Sequence, residues 1–161
     1  MAGEGQREVR RIGPHGPVQR RPLLQATAQT LTDHPGYHRM VADLAAGAVG
    51  LDASADEVVR ELLELADRAG GRRDSAARVG ERLSQKITQS EPWNPTALLA
   101  AAEALACLDE PEAGLIAVRL LGTAGAKLGW PGPFRLAVKT LRHHPDPEVA
   151  EAALDVNTGT A

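Results

Sequence analysis

The chain is poor in aromatic residues, in cysteine and in long apolar runs. Aromatic side chains make up 2% of the 161 residues, so the core has to be built from Leu, Ala and Val, and the first two are strong helix formers. Cys107 is the only cysteine, which excludes an intrachain disulfide and favours a reducing compartment. No segment approaches the roughly 18 apolar residues of a membrane-spanning helix.

The chain also has little net charge. The formal net charge is −3, so the global balance does not favour a nucleic acid or an anionic membrane as partner. The N-terminal arginines are not followed by the apolar segment of a secretory signal. We therefore expect a cytoplasmic all-α protein, and the bias toward Ala, Arg, Gly and Pro is typical of a bacterial genome of high GC content.

The second half of the chain repeats itself at an offset of 36 residues, without a gap. The identical pairs are Pro95 and Pro131, Ala101 and Ala137, Leu105 and Leu141, Pro111 and Pro147, Glu112 and Glu148, and Ala117 and Ala153. Asn94 precedes Pro95 and Asp146 precedes Pro147, and an Asn or Asp cap followed by Pro is typical of a helix start. Each copy is therefore predicted to be a helix, a short turn and a second helix.

Two further copies precede these. The segment around Thr30, Leu31, His34 and Pro35 matches residues 140–145 at an offset of 110, which leaves room for another copy at about 51–90. In that copy Ser54–Glu57 has the pattern of a capping box, and an amphipathic segment follows it.

These observations predict an all-α chain of eight helices in four antiparallel pairs. The pairs are 19–32 with 36–48, 55–69 with 75–88, 95–107 with 111–122, and 133–143 with 147–156. A two-helix unit with a period of 36 predicts a right-handed α-solenoid over residues 19–158, preceded by a flexible basic arm over 1–18.

The stretch HHPDPEVAEAALDV resembles the second helix of a HEAT repeat, and LLGTAGAKLGW resembles the small-residue turn between such repeats. The resemblance is clearest over 94–156. It departs where HEAT repeats commonly carry the Arg or Lys of an Asp–Arg ladder, since Ala150 and Gly114 stand at that position. The resemblance implies a protein-binding scaffold, because HEAT-like repeats serve mainly in that role and only a minority bind DNA or act as enzymes.

A basic stripe on the predicted helix 75–88 is the candidate partner-binding surface. Arg78 and Arg82 are four residues apart on one face, with Lys86 beside them, and Ala76, Val79, Leu83 and Ile87 form the opposite, buried face. The HEAT resemblance implies that second helices line a concave wall, with Arg119 nearby. An acidic or phosphorylated surface is the expected partner. In the alternative interpretation these arginines are solvated and pair with Asp74 and Glu81.

The N-terminal arm is the second candidate surface. Its basic residues are Arg7, Arg10, Arg11, Arg20 and Arg21. Together with the Arg78 and Arg82 stripe, the arm supports nucleic-acid binding as the alternative function. The composition of the arm is also that of a simple flexible leader.

The histidines, the cysteine and the tryptophans give little support for a catalytic, metal-binding or ligand-binding site. His34 and His38 flank Pro35, and His143 and His144 precede Asp146 at the equivalent turn, so we expect these histidines to be turn residues and not metal ligands. Cys107 is expected to be buried at the end of an apolar helix. GTAGAKLG at 122–129 lacks the spacing of a phosphate loop and is expected to be a turn between repeats. Trp93 and Trp130 precede helix starts, where they are expected to join neighbouring repeats.

The sequence therefore predicts a non-enzymatic protein without metal or cofactor. Its expected role is that of a scaffold, an adaptor or one subunit of a larger assembly, and the oligomeric state is left open.

Overall fold

A computed structural model describes residues 37–89 and 92–159, and these are helical without any strand. The helices are α1 (His38–Ala48), α2 (Ala55–Arg68), α3 (Arg73–Thr88), α4 (Pro95–Ala106), α5 (Pro111–Leu128), α6 (Gly132–Leu141) and α7 (Pro147–Asp155). The all-α prediction is confirmed for this part of the chain. The predicted arm 1–18 and helix 19–32 lie outside the described residues.

The helix starts follow the capping residues that the sequence indicates. The side-chain oxygen of Asn94 accepts hydrogen bonds from the N–H groups of Thr96 and Ala97 at 3.1 and 3.3 Å. Asp146 caps α7 in the same way: its side-chain oxygen accepts hydrogen bonds from the N–H groups of Glu148 and Val149 at 3.0 and 3.3 Å. Ser54 accepts from the N–H of Glu57 at the start of α2. These oxygens satisfy N–H groups that the first turn of a helix leaves without partners.

The end of α5 differs from the prediction. Residues 122–128 were expected to form a turn, but they continue α5 to Leu128, and the helix ends at Gly129 in the left-handed conformation. Gly122 and Gly125 look like turn signals in the sequence. Here they are helical positions where side chains from elsewhere approach, since Gly122 faces Val156 and Gly125 faces Trp130.

The helices lie in two rows. The first row consists of α2, α4 and α6, and the second row consists of α1, α3, α5 and α7; within each row every helix packs against the next. Contacts between α4 and α5 and between α6 and α7 join the rows. The right-handed solenoid of antiparallel pairs stays a prediction. No helix in the described ranges is both long enough and apolar enough to cross a membrane.

Aliphatic side chains fill the space between the rows. Leu105 and Leu141, which the repeat pairs with each other, are both buried, and so are Ala117 and Ala153. Phe134 is the only aromatic side chain buried in the described part of the core. Each fully buried Leu contributes about 1.5–3 kcal/mol through burial of its apolar surface.

Candidate partner-binding surface

Arg78 is held by carboxylates on both sides. Its guanidinium lies 2.9 Å from Asp43 of α1 and 3.2 Å from Glu81 of its own helix. The alternative of a paired arginine therefore applies to Arg78, with Asp43 as the partner that sequence proximity could not indicate. This residue connects α1 to α3 in the second row, and its charge is largely balanced.

Arg82 has no such partner. It forms no hydrogen bond or ion pair with the described residues, and its Nε atom is buried. The side chain lies across Gly47 of α1, where a Cβ atom would be 3.3 Å from Nε. A guanidinium is one of the most hydrophilic groups in a protein, so an unpaired and partly buried one favours an external anion.

Arg119 repeats this arrangement one helix further along the second row. Its Cβ and Cγ atoms lie over Gly80 of α3, at 3.2 and 3.1 Å from where a glycine Cβ would be. The residue is exposed, and within the described ranges it has no hydrogen bond or ion pair from its side chain. Arg82 and Arg119 therefore each cross from their own helix onto the preceding one, over a glycine.

Glycines shape every contact between neighbours of the second row. Gly47, Gly80 and Gly114 lie on α1, α3 and α5, and they receive Arg82, Arg119 and Val149 from the next helix. At Gly114 an added Cβ would be 2.7 Å from a methyl group of Val149. Position 114 therefore has no room for a side chain while α5 and α7 stay this close.

Lys86 lies inside the protein and not on the predicted stripe. It is 6% exposed, and its ammonium donates hydrogen bonds to the carbonyl oxygens of Gly47, at 3.0 Å, and Val49. These carbonyls belong to the C-terminal end of α1, where the last turn lacks intrahelical donors and carries partial negative charge. The expectation that Lys86 contacts a partner is therefore corrected: it is engaged in capping α1.

A network around Arg73 connects three helices of the second row. Arg73 begins α3, and it bonds Glu112 in the first turn of α5 and Glu148 in the first turn of α7, the latter at 2.6 Å. The hydrogen bond to Glu148, together with the negative charges of Glu112 and Glu148, raises the pKa of Arg73. Three helices of the second row are thus joined at their N-terminal ends. From the sequence alone, Glu112 and Glu148 are expected only as acids in the first turn of a helix, where the helix dipole favours negative charge.

A groove opens between α5 and α7 at the far end of the second row. Its volume is about 470 Å³. The residues that line it are Leu115, Val118, Arg119, Gly122, Thr123, Ala126, Trp130, Ala152, Asp155, Val156 and Asn157. We call it the terminal groove. Sequence reasoning missed it, although Gly122, Ala126 and Ala152 are small residues at positions where two helices meet.

His143 and His144 lie in the turn before α7, as expected, whereas His38 is the first residue of α1 and not a turn residue. His144 is buried between two turns, whereas His143 is exposed and its Nδ1 lies 3.0 Å from the carbonyl of Lys139. His34 lies outside the described residues. Within those residues no group of three or more His, Cys, Asp or Glu side chains could hold a metal ion.

Cys107 and the tryptophans complete the set of predicted residues. Cys107 is exposed at the C-terminal end of α4, so the expectation that it is buried was wrong. The apolar period of α4 ends before this position, which leaves the thiol outside the core.

Trp93 and Trp130 are both half-buried and packed against the core. The five arginines of the arm lie outside the described residues.

Comparisons with family models, curated proteins and solved structures found no match to this chain.

Proposed function

We propose that the chain is a non-enzymatic, HEAT-like α-solenoid that binds another protein on its second row of helices. The partner contributes an acidic or phosphorylated segment. Along each row the helices contact one another in the order expected for a stack of helical hairpins, and α4 packs on α5 and α6 on α7, whereas α2 and α3, the predicted second pair, are not packed closely together. A rigid stack also loses little conformational entropy when it binds.

One observation supports the proposal most strongly: Arg82 and Arg119 are two unpaired guanidiniums in equivalent positions on adjacent helices. Packed helices have axes about 8–10 Å apart, so an extended segment can cross α3 and α5 and meet both arginines. Each guanidinium can donate two parallel hydrogen bonds to a carboxylate or phosphate. The guanidinium of Arg82 lies against Gly47, so it is partly fixed before binding, whereas only the Cβ and Cγ atoms of Arg119 lie against Gly80.

This proposal changes the expected role of Arg78. Asp43 and Glu81 already balance its charge, so it contributes to the α1–α3 contact. The binding pair becomes Arg82 and Arg119, and the direction of the bound segment is across the helices. Nucleic-acid binding remains the competing proposal, and its five arm arginines lie outside the described residues.

The experiment is capture of partners by the immobilised chain from a lysate of the source organism, followed by mass spectrometry. Arg82→Glu with Arg119→Glu should abolish capture of the specific partner, with unchanged helical circular dichroism. Arg135→Glu is the matched control, since Arg135 is an exposed arginine on α6 of the first row. Retention of the same partner by the double variant would contradict the proposal.

A further inference from the structure

We infer that the terminal groove is a subsite for an apolar side chain of the bound segment, next to an acidic residue of that segment at Arg119. The inference rests on the proposed function, because Arg119 belongs to both surfaces. It adds the chemistry of the partner: an apolar residue close in sequence to a carboxylate or phosphate.

The groove exists because α5 and α7 meet closely at one position and are separated by small side chains beyond it. Val149 is in tight contact at Gly114, but Val156 is 3.8 Å from where a Cβ atom of Gly122 would be. Ala152, between Val149 and Val156 on α7, and Ala126, beyond Gly122 on α5, line the space with small side chains. Its volume of about 470 Å³ lies within the range of about 300–1,000 Å³ for ligand sites.

Trp130 forms an aromatic wall of the groove and is held there in an uncommon backbone conformation. Its φ angle is 58°, a left-handed value that costs a residue with a Cβ atom about 1–2 kcal/mol. The N–H of Trp130 donates to the carbonyl of Gly125 at 2.8 Å, and the ring occupies the space that a side chain at position 125 would need. The indole N–H has no hydrogen-bond partner among the described residues, and Gly159 lies beside this edge of the ring.

Charge decides what can occupy the groove. Arg119 lines the α5 side and Asp155 lines the α7 side, and neither has a side-chain partner within the described ranges. An acidic group is therefore attracted to the α5 side and repelled from the α7 side, which orients the segment. The basic N-terminal arm of this chain is a poor occupant beside Arg119, since it would bring like charges together.

The probe is a library of random twelve-residue peptides displayed on phage and selected on the full chain. The expected enrichment is for peptides with an acidic residue within a few positions of a Leu, Ile, Met or aromatic residue. Acidic peptides without an apolar preference would overturn the groove inference while leaving the proposed function standing. Absence of any acidic preference would overturn both.

Selected peptides are then measured against two variants by fluorescence anisotropy. Ala126→Trp fills the groove from an exposed position, and we expect affinity to fall about tenfold or more, as for loss of an apolar contact in a pocket. Lys127→Trp adds the same ring one residue away, at an exposed position that does not line the groove, and it should bind like the wild type. Equal affinity of the two variants, with circular dichroism unchanged, would overturn the inference.

Discussion

The Nε2 atom of His144 lies 3.0 Å from the carbonyl oxygen of Leu108, which stands 36 residues earlier and holds the equivalent position in the preceding repeat. The Nδ1 atom of the same ring accepts a hydrogen bond from the N–H of Asp146 at 3.0 Å. Because Nδ1 accepts, the hydrogen of the neutral ring is on Nε2, which donates to Leu108. One side chain thus joins two consecutive turns of the repeat.

Replacement of His144 by Ala is expected to lower the free energy of unfolding by about 1–3 kcal/mol, because buried polar groups at both turns lose their partner. The adjacent His143→Ala should change it by no more than about 0.5 kcal/mol, since His143 is exposed. Urea unfolding followed by circular dichroism measures both. Similar losses for the two variants would show that the two hydrogen bonds of the His144 ring do not add to the free energy of unfolding.

Leu141 provides a test of the core. It is 1% exposed, and Leu136 on the same helix is 64% exposed. Leu141→Ala should destabilise the protein by about 2–5 kcal/mol through lost burial and the cavity that remains, whereas Leu136→Ala should have little effect. Chemical denaturation distinguishes them. A small loss at Leu141 would contradict the assignment of this residue to the core between the rows.

The contact between Gly114 and Val149 predicts that a second substitution can offset the stability lost by the first. Gly114→Ala places a methyl group 2.7 Å from the rigid, buried Val149, and we expect a loss of about 1–3 kcal/mol from overpacking. Gly132→Ala is the control, because nothing lies within 4 Å of the added atom.

Combining Gly114→Ala with Val149→Ala removes the clash. The double variant should therefore be more stable than the sum of the two single losses predicts, in a double-mutant cycle of thermal or urea unfolding. Simple additivity would mean that the two residues do not constrain each other.

Arg73→Ala should lower the melting temperature more than Arg72→Ala, because it leaves the buried Glu112 carboxylate without its ion pair. Adding Glu112→Gln to Arg73→Ala should restore part of the loss. The raised pKa of Arg73 keeps the guanidinium charged, so its contribution is fully present below the unfolded pKa and is lost only as the pH rises through the folded value in strongly alkaline solution. Titrating Arg73 therefore gives no pH dependence of stability near neutrality, and thermal melts of the variants test this.

Salt distinguishes a protein partner from a nucleic acid. Contacts to several phosphates make affinity fall steeply with salt, by about 10³–10⁵ between 50 and 200 mM for six to ten contacts. A segment that meets two arginines and an apolar groove should show a much shallower dependence. Titration of the captured partner at several salt concentrations measures the slope, and a steep slope would favour nucleic acid.

The helix positions could be predicted from the sequence because their signals are local. Asn94, Asp146 and Ser54 act as caps on residues two or three positions away. The C-terminal end of α5 could not be predicted in this way, since Gly125 reads as a turn residue until Trp130 is known to lie against it.

The candidate site could be predicted only in part, for the same reason. The shared face of Arg78 and Arg82 follows from their spacing, but the pairing of Arg78 with Asp43 depends on how α1 crosses α3. The capping role of Lys86 depends on the same crossing. Arg82 and Arg119 differ from Arg78 through tertiary neighbours that no short window of sequence contains.

The glycines of α5 have a consequence for how the chain folds. Gly114, Gly122 and Gly125 each lower the intrinsic stability of the helix by about 1 kcal/mol relative to Ala, yet α5 is the longest described helix and packs against α2, α3, α4, α6 and α7. The segment with the most neighbours is therefore poorly able to form alone. Its order depends on the helices on both sides, so we expect a substitution that destabilises either end of the second row to destabilise α5 as well.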